Sequence, residues 1–287
     1  MPPTTSATAQ QGTRLIDGSG TGDFEYEGPG ALSGHPIRVW YSAPPTDSAT
    51  AEILIVMTGT QRDGERYRAD WLPLLQDRNT LLLVPEFSED EYPGVWSYNL
   101  GKMLDRHGDP QPRDDWAFNM VEALFDAVVA DVGSTATGYA FFGHSAGAQF
   151  VHRFIEFMPK NRVRIAVAAN AGWYTVMDDS IPFPYGLEEA PRGVKDMKAA
   201  FSSKLTILLG ADDIDPKDDS LQRDNKTDKQ GKNRLARGLN FYEQAREAAG
   251  TETFNWQLIV VPGIAHSNFD MARAAAPLVL TPTDGSK

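Results

Sequence analysis

The pentapeptide Gly143-His144-Ser145-Ala146-Gly147 carries the densest chemical signal in the chain. A G-x-S-x-G string alone is weak. Here it follows the apolar run Tyr139-Ala140-Phe141-Phe142 and opens an amphipathic stretch at Ala146. That is the strand–turn–helix setting in which a serine becomes an exposed nucleophile. The requirement is steric: a serine at so sharp a turn needs small neighbours, and Gly143, Ala146 and Gly147 supply them. The helix that follows directs the positive end of its dipole toward a developing oxyanion.

A serine hydroxyl needs a general base. Five histidines are available. His35 falls in an early hairpin, His107 in a polar loop, His144 inside the elbow and His152 two turns into the helix behind it. His266 follows the last apolar strand, in Pro262-Gly263-Ile264-Ala265-His266, and is the expected base. The orienting acid should lie between serine and histidine in chain order, just beyond a strand. Asp212, Asp213 and Asp215 follow the run that ends at Gly210. Asp213, three residues past that glycine, is preferred. Asp215, beside Pro216, is second, and Asp178 and Asp179 are more distant alternatives. Two backbone donors must hold the oxyanion. Ala146 supplies one; the turn Thr58-Gly59-Thr60-Gln61 supplies the other, from Thr60 or Gln61.

These residues need a frame. Extended runs are expected at Asp23–Gly28, Ile37–Ala43, Glu52–Thr58, Thr80–Phe87, Gly138–Gly143, Val163–Asn170, Leu205–Gly210 and Phe254–Val261. The middle ones are continuously apolar, as strands covered on both faces are. The first two, separated by a Gly/Pro-rich stretch, read as an antiparallel hairpin. Helices are expected at Arg66–Gln76, Trp116–Val132, Ala146–Met158, Val194–Ser202, Leu235–Ala249 and Phe269–Leu280. The alternation predicts an α/β fold with about eight mostly parallel strands and helices on both faces. One domain is expected over residues 23–280, between a flexible tail at 1–22 and a short tail at 281–287. Two long irregular stretches, Ser88–Asp115 and Asp212–Arg234, follow strands at the edge where such sheets carry their sites. Gln61 and the aromatics Tyr92, Trp96, Trp173, Tyr174 and Phe183 are expected to wall a substrate pocket. The segment from Gly172 to Lys204 is too short for a large lid, so the cleft should be open.

Composition bounds the alternatives. The 287 residues are 41% hydrophobic and 23% charged, an ordinary globular balance. Thirty-nine acidic against 27 basic side chains give a net charge of −12, whose field repels nucleic acid phosphates and anionic membranes. The chain has no cysteine, which removes thiolate metal sites and cysteine nucleophiles. No apolar run is long enough to span a membrane. The start, MPPTTSATAQQG, reads as neither n-region nor h-region of a signal peptide. A cytoplasmic location is therefore expected, with secretion after removal of a leader the alternative. No metal or cofactor motif appears: no HExxH, Walker loop or EF-hand pattern.

The elbow, Gly210-x-x-Asp213 after the penultimate strand and Pro262-Gly263-x-x-His266 after the last one together resemble the α/β-hydrolase superfamily, from about Asp23 to Leu280. The helix with Tyr67 and Trp71 and the string from Phe141 to Phe154 are similar to bacterial esterases of the polyhydroxybutyrate-depolymerase and dienelactone-hydrolase-like groups. Those proteins often carry His-Gly at the oxyanion turn where this chain has Thr58-Gly59. The resemblance implies a cofactor-independent serine hydrolase that cleaves carboxylic esters, small or polymeric, through a Ser-His-Asp triad and an acyl-enzyme. An amidase or peptidase on the same triad, or a catalytically silent binding protein, are the alternative readings.

Overall fold

The computed structural model describes residues 14–280, and in it the eight extended runs form one sheet. The strands are β1 (Gly20–Tyr26), β2 (Ile37–Ala43), β3 (Glu52–Met57), β4 (Thr80–Glu86), β5 (Tyr139–His144), β6 (Val163–Ala169), β7 (Leu205–Gly210) and β8 (Gln257–Val261). Their spatial order is β1-β2-β4-β3-β5-β6-β7-β8. β1 and β2 form the expected hairpin, and β2 joins β4 antiparallel; the pairs from β4 onward are parallel. Registers Met57↔Gly143, Gly143↔Ala168, Ala169↔Leu208 and Gly210↔Val261 align the ends of five strands along one edge.

Continuous apolarity follows from burial on both faces. Ile53, Ile55 and Met57 of β3, with Phe141 of β5 and Ile207 of β7, pack into one core layer. Their neighbours Leu54, Val56, Phe142 and Leu208 pack into the other. The first layer is covered by α3 (Phe118–Val132), α4 (Ala146–Phe157), α5 (Lys198–Ser202) and α7 (Arg234–Ala249). The second is covered by α1 (Gly64–Trp71) and α8 (Asn268–Val279), which also contact each other. Trp71 of α1 is fully buried and meets Phe142 edge-on at 5.1 Å. α3 ends at Gly133, whose φ of 66° makes it a left-handed cap. Among the described residues no helix is long and apolar enough to cross a membrane.

Several element ends differ from expectation. β1 starts at Gly20 rather than Asp23; Gly20 and Gly22 leave no side-chain alternation to read, but their backbones pair with Ala43 and Tyr41. Of the tail expected at 1–22, residues 1–13 lie outside the described residues, as does the stretch 281–287. The Leu15 and Ile16 amides donate to the Asp131 carboxylate, and Ile16 is buried, so the described part of that segment is docked on α3. α1 begins at Gly64, where the Asp63 side chain accepts from the Arg66 amide, and gives way to a 3-10 turn at Leu72–Leu74 containing Pro73. A 3-10 turn at Val194–Asp196 likewise precedes α5. The two irregular stretches each hold one short helix, α2 (Gly94–Ser97) and α6 (Thr227–Gln230).

Because Trp71 fills the layer between α1 and the sheet, Trp71→Ala should lower the unfolding free energy by about 3–5 kcal/mol. A urea denaturation midpoint within error of the parent would refute this packing role.

Candidate active site

Ser145 sits between β5 and α4 with φ 57° and ψ −115°, outside the regions L-residues normally occupy. Its amide donates to Ala169 O at 2.9 Å and its carbonyl accepts from the Gln149 amide. The glycines of the motif are required by backbone approach. A Cβ on Gly143 would lie 2.2 Å from Gly147 O, and one on Gly147 would lie 2.3 Å from Met57 O. No larger residue fits between β3 and the first turn of α4.

His266 comes from the loop after β8 and reaches Ser145 Oγ with Nε2 at 3.0 Å. Its Nδ1 lies 2.7 Å from Asp213 Oδ2. Hydroxyl, imidazole and carboxylate thus form one continuous relay at the sheet edge. Asp215 and Asp212 are exposed, and Asp215 accepts from the Lys217 amide in a local turn. Asp178 accepts from Ser180 and Asp179 from the Val194 amide. Asp213 is therefore the carboxylate that meets the imidazole.

Two supports of this relay, Asn170 and Arg234, have no local sequence signal. Asn170, at φ 50°, donates from Nδ2 to Ala265 O and accepts at Oδ1 from the Gly210 amide, clamping the ends of β6 and β7 to the histidine loop. Gly210 is packed so closely there that a Cβ would lie 2.4 Å from Ile264 O. Arg234, fully buried at the start of α7, donates to Asp213 Oδ1 at 3.2 Å and continues to Asp218 and to Ser220 Oγ. The buried acid thus has a partner for each oxygen. Burial works to raise the Asp218 carboxyl, but its bonds to Arg234 and Ser220 outweigh that and hold it well below the usual range.

The oxyanion turn is anchored from below. Arg62, buried and at φ 57°, donates to the carbonyls of Phe87, Tyr92 and Gly94 and lies 4.0 Å over the Tyr98 ring. The Tyr98 hydroxyl donates to Thr58 O. Tyr67 takes the Gly59 amide on its hydroxyl and stands 3.3 Å from His144 Nδ1. With that amide engaged, Thr60 and Gln61 are left facing the cleft beside Ser145.

The cleft has two lobes that meet at Thr60, Ser145 and Ser220. The first, about 200 Å³, is lined by Gln61, Asp63, Arg66, His144, His266 and Asn268 among others. The second, about 360 Å³, runs along Arg62, Glu89, Val95, Asn99, Gln149, Trp173, Asp219, Leu221 and Gln222. Of the expected pocket residues, Gln61 and Trp173 line it. Trp96 packs behind Trp173 with Leu100 and Leu104. Tyr92 and Tyr174 are core residues instead. Tyr92 packs edge-on against Phe87 and donates to His35 O, and Tyr174 stacks on Phe241 at 4.3 Å. Phe183 packs on Phe157. Large aromatic rings near the sheet edge are drawn into the interior by the area they bury.

Burial, with the nearby guanidinium groups of Arg234 and Arg66, pushes His144 far below the ordinary imidazole range. Burial and Arg153 do the same to His152, whose Nδ1–H donates to Ala148 O while Nε2 accepts from the Thr175 amide. Both are neutral in the folded chain.

The whole chain was compared with known proteins. It shares 41% identity with poly(aspartic acid) hydrolase-1 from Sphingomonas sp. KT-1, with a TM-score of 0.86, over 91% of this chain and 99% of that one. It shares 31% identity with the poly(3-hydroxybutyrate) depolymerase LpqC from Bordetella parapertussis, with a TM-score of 0.84, over 91% of this chain and 90% of that one. At 14% identity and a TM-score of 0.55, an S-formylglutathione hydrolase from Agrobacterium tumefaciens shares the fold, over 92% of this chain and 95% of that one. No protein-family model and no curated protein sequence matches the chain.

Two outcomes test the site's electrostatics. As pH falls below the ordinary imidazole value near 6.5, the unfolded chain binds protons at positions 144 and 152 that the folded chain refuses. Unfolding free energy should therefore fall by about 1.4 kcal/mol per pH unit for each histidine, read by chemical denaturation between pH 7 and 5. A flat profile would contradict neutral imidazoles. Arg234→Met strips Asp213 of its guanidinium and should cost about 3–5 kcal/mol. An unaltered denaturation midpoint would show that the pair carries no weight.

Proposed function

The chain belongs to the α/β-hydrolase superfamily of serine hydrolases, and on that premise we propose that it cleaves carboxylic esters with Ser145 as nucleophile, His266 as general base and Asp213 as orienting acid. The observation that carries the reading is the relay of 3.0 Å and 2.7 Å hydrogen bonds opening onto a two-lobed cleft. Ser145 Oγ attacks the ester carbonyl carbon while its proton passes to His266 Nε2. Asp213 holds Nδ1–H and stabilises the imidazolium. The carbonyl electrons collect on oxygen, where the amides of Ala146 and Thr60 receive them, with Gln61 the alternative donor. Collapse expels the alcohol, which takes the proton from His266, and leaves Ser145 acylated. Water then repeats the sequence, its proton going to His266, and the acid is released.

A cleft with a lobe on each side of the nucleophile suits a chain bound across the scissile bond. One similar protein is named for poly(3-hydroxybutyrate) and another for poly(aspartic acid), both polymers. The cleft of this chain presents the exposed carboxylates Asp63 and Asp219 against the exposed Arg66, with Glu89 paired to Arg62 at 3.4 Å. That balance favours an uncharged polyester or small ester over a polyanion. The 41% identity to a poly(aspartic acid) hydrolase supports amide cleavage on the same triad as the second reading.

Ser145→Ala should keep its fold and lose about four orders of magnitude or more in kcat on p-nitrophenyl butyrate. A fluorophosphonate should label the parent at Ser145 and leave the variant untouched. Comparable turnover of the variant would overturn the nucleophile, and faster cleavage of the matched anilide than of the ester would select the amidase reading.

A further inference from the structure

We propose that a second cavity, of about 380 Å³ behind the Trp173 wall of the cleft, is a distal subsite for the terminal carboxylate of an uncharged substrate chain. The identity of that chain rests on the ester reading above; the chemistry of the cavity does not.

Val176, Ile181, Pro182 and Tyr185 give the cavity apolar and aromatic walls, and Lys226 and Lys229 stand at it from α6 and its N-cap. The Lys226 ammonium lies 5.1 Å over the Tyr185 ring. Among the described residues neither lysine has a carboxylate within ion-pair distance, although the chain is strongly acidic overall. The acid of α6, Asp228, is already taken by Arg223, Lys232 and Arg237. Two unneutralised cations beside an apolar wall form a complement to one anionic group carried on an apolar body.

The cavity also adjoins the cleft. Trp173 lines the larger lobe, and its ring lies 4.8 Å from that of Tyr185. Gln222, on the same lobe, donates to the Tyr185 hydroxyl at 3.2 Å. On this proposal a chain leaving Ser145 past Trp173 and Gln222 crosses Tyr185, the partition between lobe and cavity, to reach the lysines. Asp219 lines the lobe between, and the other carboxylate there, Glu89, is paired with Arg62 at 3.4 Å, so the lining offers negative charge along the body of the chain no unpaired cation, while the lysines receive charge at its end. The enzyme would then grip the carboxyl end of its chain and cut a set distance from it.

The test pairs the parent with Lys226→Glu/Lys229→Glu, both exposed positions outside the catalytic machinery. The parent should bind 4-phenylbutyrate in a salt-sensitive titration, and the variant should bind it about tenfold more weakly. On a hydroxy-acid oligomer with a free carboxyl end, KM of the variant should rise by a similar factor to that of the methyl-ester-capped oligomer, while p-nitrophenyl acetate turnover stays unchanged. Equal binding of phenylbutyrate by parent and variant, or no preference of the parent for the uncapped oligomer, overturns the subsite. If the variant loses acetate turnover, Lys226→Met/Lys229→Met is read by the same criteria. If the parent cleaves neither ester, the ester reading fails while the phenylbutyrate titration still judges the cavity.

Discussion

Much in this structure depends on one close backbone contact, between Gly147 at the first turn of α4 and Met57 O at the end of β3, with Gly143 packed on the same turn. Ser145 is held at a dihedral pair that costs on the order of 1–3 kcal/mol, and the surrounding sheet must make up that cost. It does so by giving the strained residue two backbone bonds, to Ala169 and Gln149. The same contact brings the turn after Met57 against the serine, where the Gly59 backbone lies close to Ser145 Cβ. Nucleophile and oxyanion turn are thereby set by a single packing event rather than by two independent loops.

The remaining parts of the relay are fixed by polar groups that water does not reach. Asn170 bridges the Gly210 amide and the Ala265 carbonyl, so the loops bearing Asp213 and His266 share one clamp. Arg234 satisfies the second oxygen of Asp213 and extends to Ser220, which lines both lobes of the cleft. In a low-dielectric interior each such pair is strong when complete and costly when broken. Tyr67 links the oxyanion turn to neutral His144, where similar esterases often use a histidine at the turn itself.

Substrate selection lies elsewhere. Two proteins of 41% and 31% identity superpose on this chain with nearly equal TM-scores, yet their names refer to chemically different polymers. The shared fold does not decide between them. Cleft walls are drawn from the stretches 88–115, 172–204 and 212–234, which lie mostly outside regular elements. On the reading proposed above, charge placement on those loops, with carboxylates in the cleft and lysines beyond Tyr185, would distinguish one chain-like substrate from another.

The alternation of strands and helices, the elbow and the loop origin of His266 were legible in the sequence because each rests on a local rule. Runs such as Ile53–Met57 are apolar throughout since both faces are covered, and Gly143, Ala146 and Gly147 are small since the turn between them admits nothing larger. Local rules fail where partners are distant. The offset from Gly210 only ranked Asp213 above Asp212 and Asp215; what separates them is an imidazole 53 residues away. Tyr92 and Tyr174 looked like cleft walls because both follow strands, but the rings of Phe87 and Phe241 draw them inward. Arg62 and Arg234 carry no sign of burial in their neighbouring residues, and only packing across the molecule buries them against carbonyls and an acid. The sequence by itself determined the periodic elements and the sterically constrained turn, which arise from neighbours along the chain. The tertiary structure decided which acid, which arginines and which aromatics serve the cleft, since hydrogen bonds and burial are assigned by proximity in space.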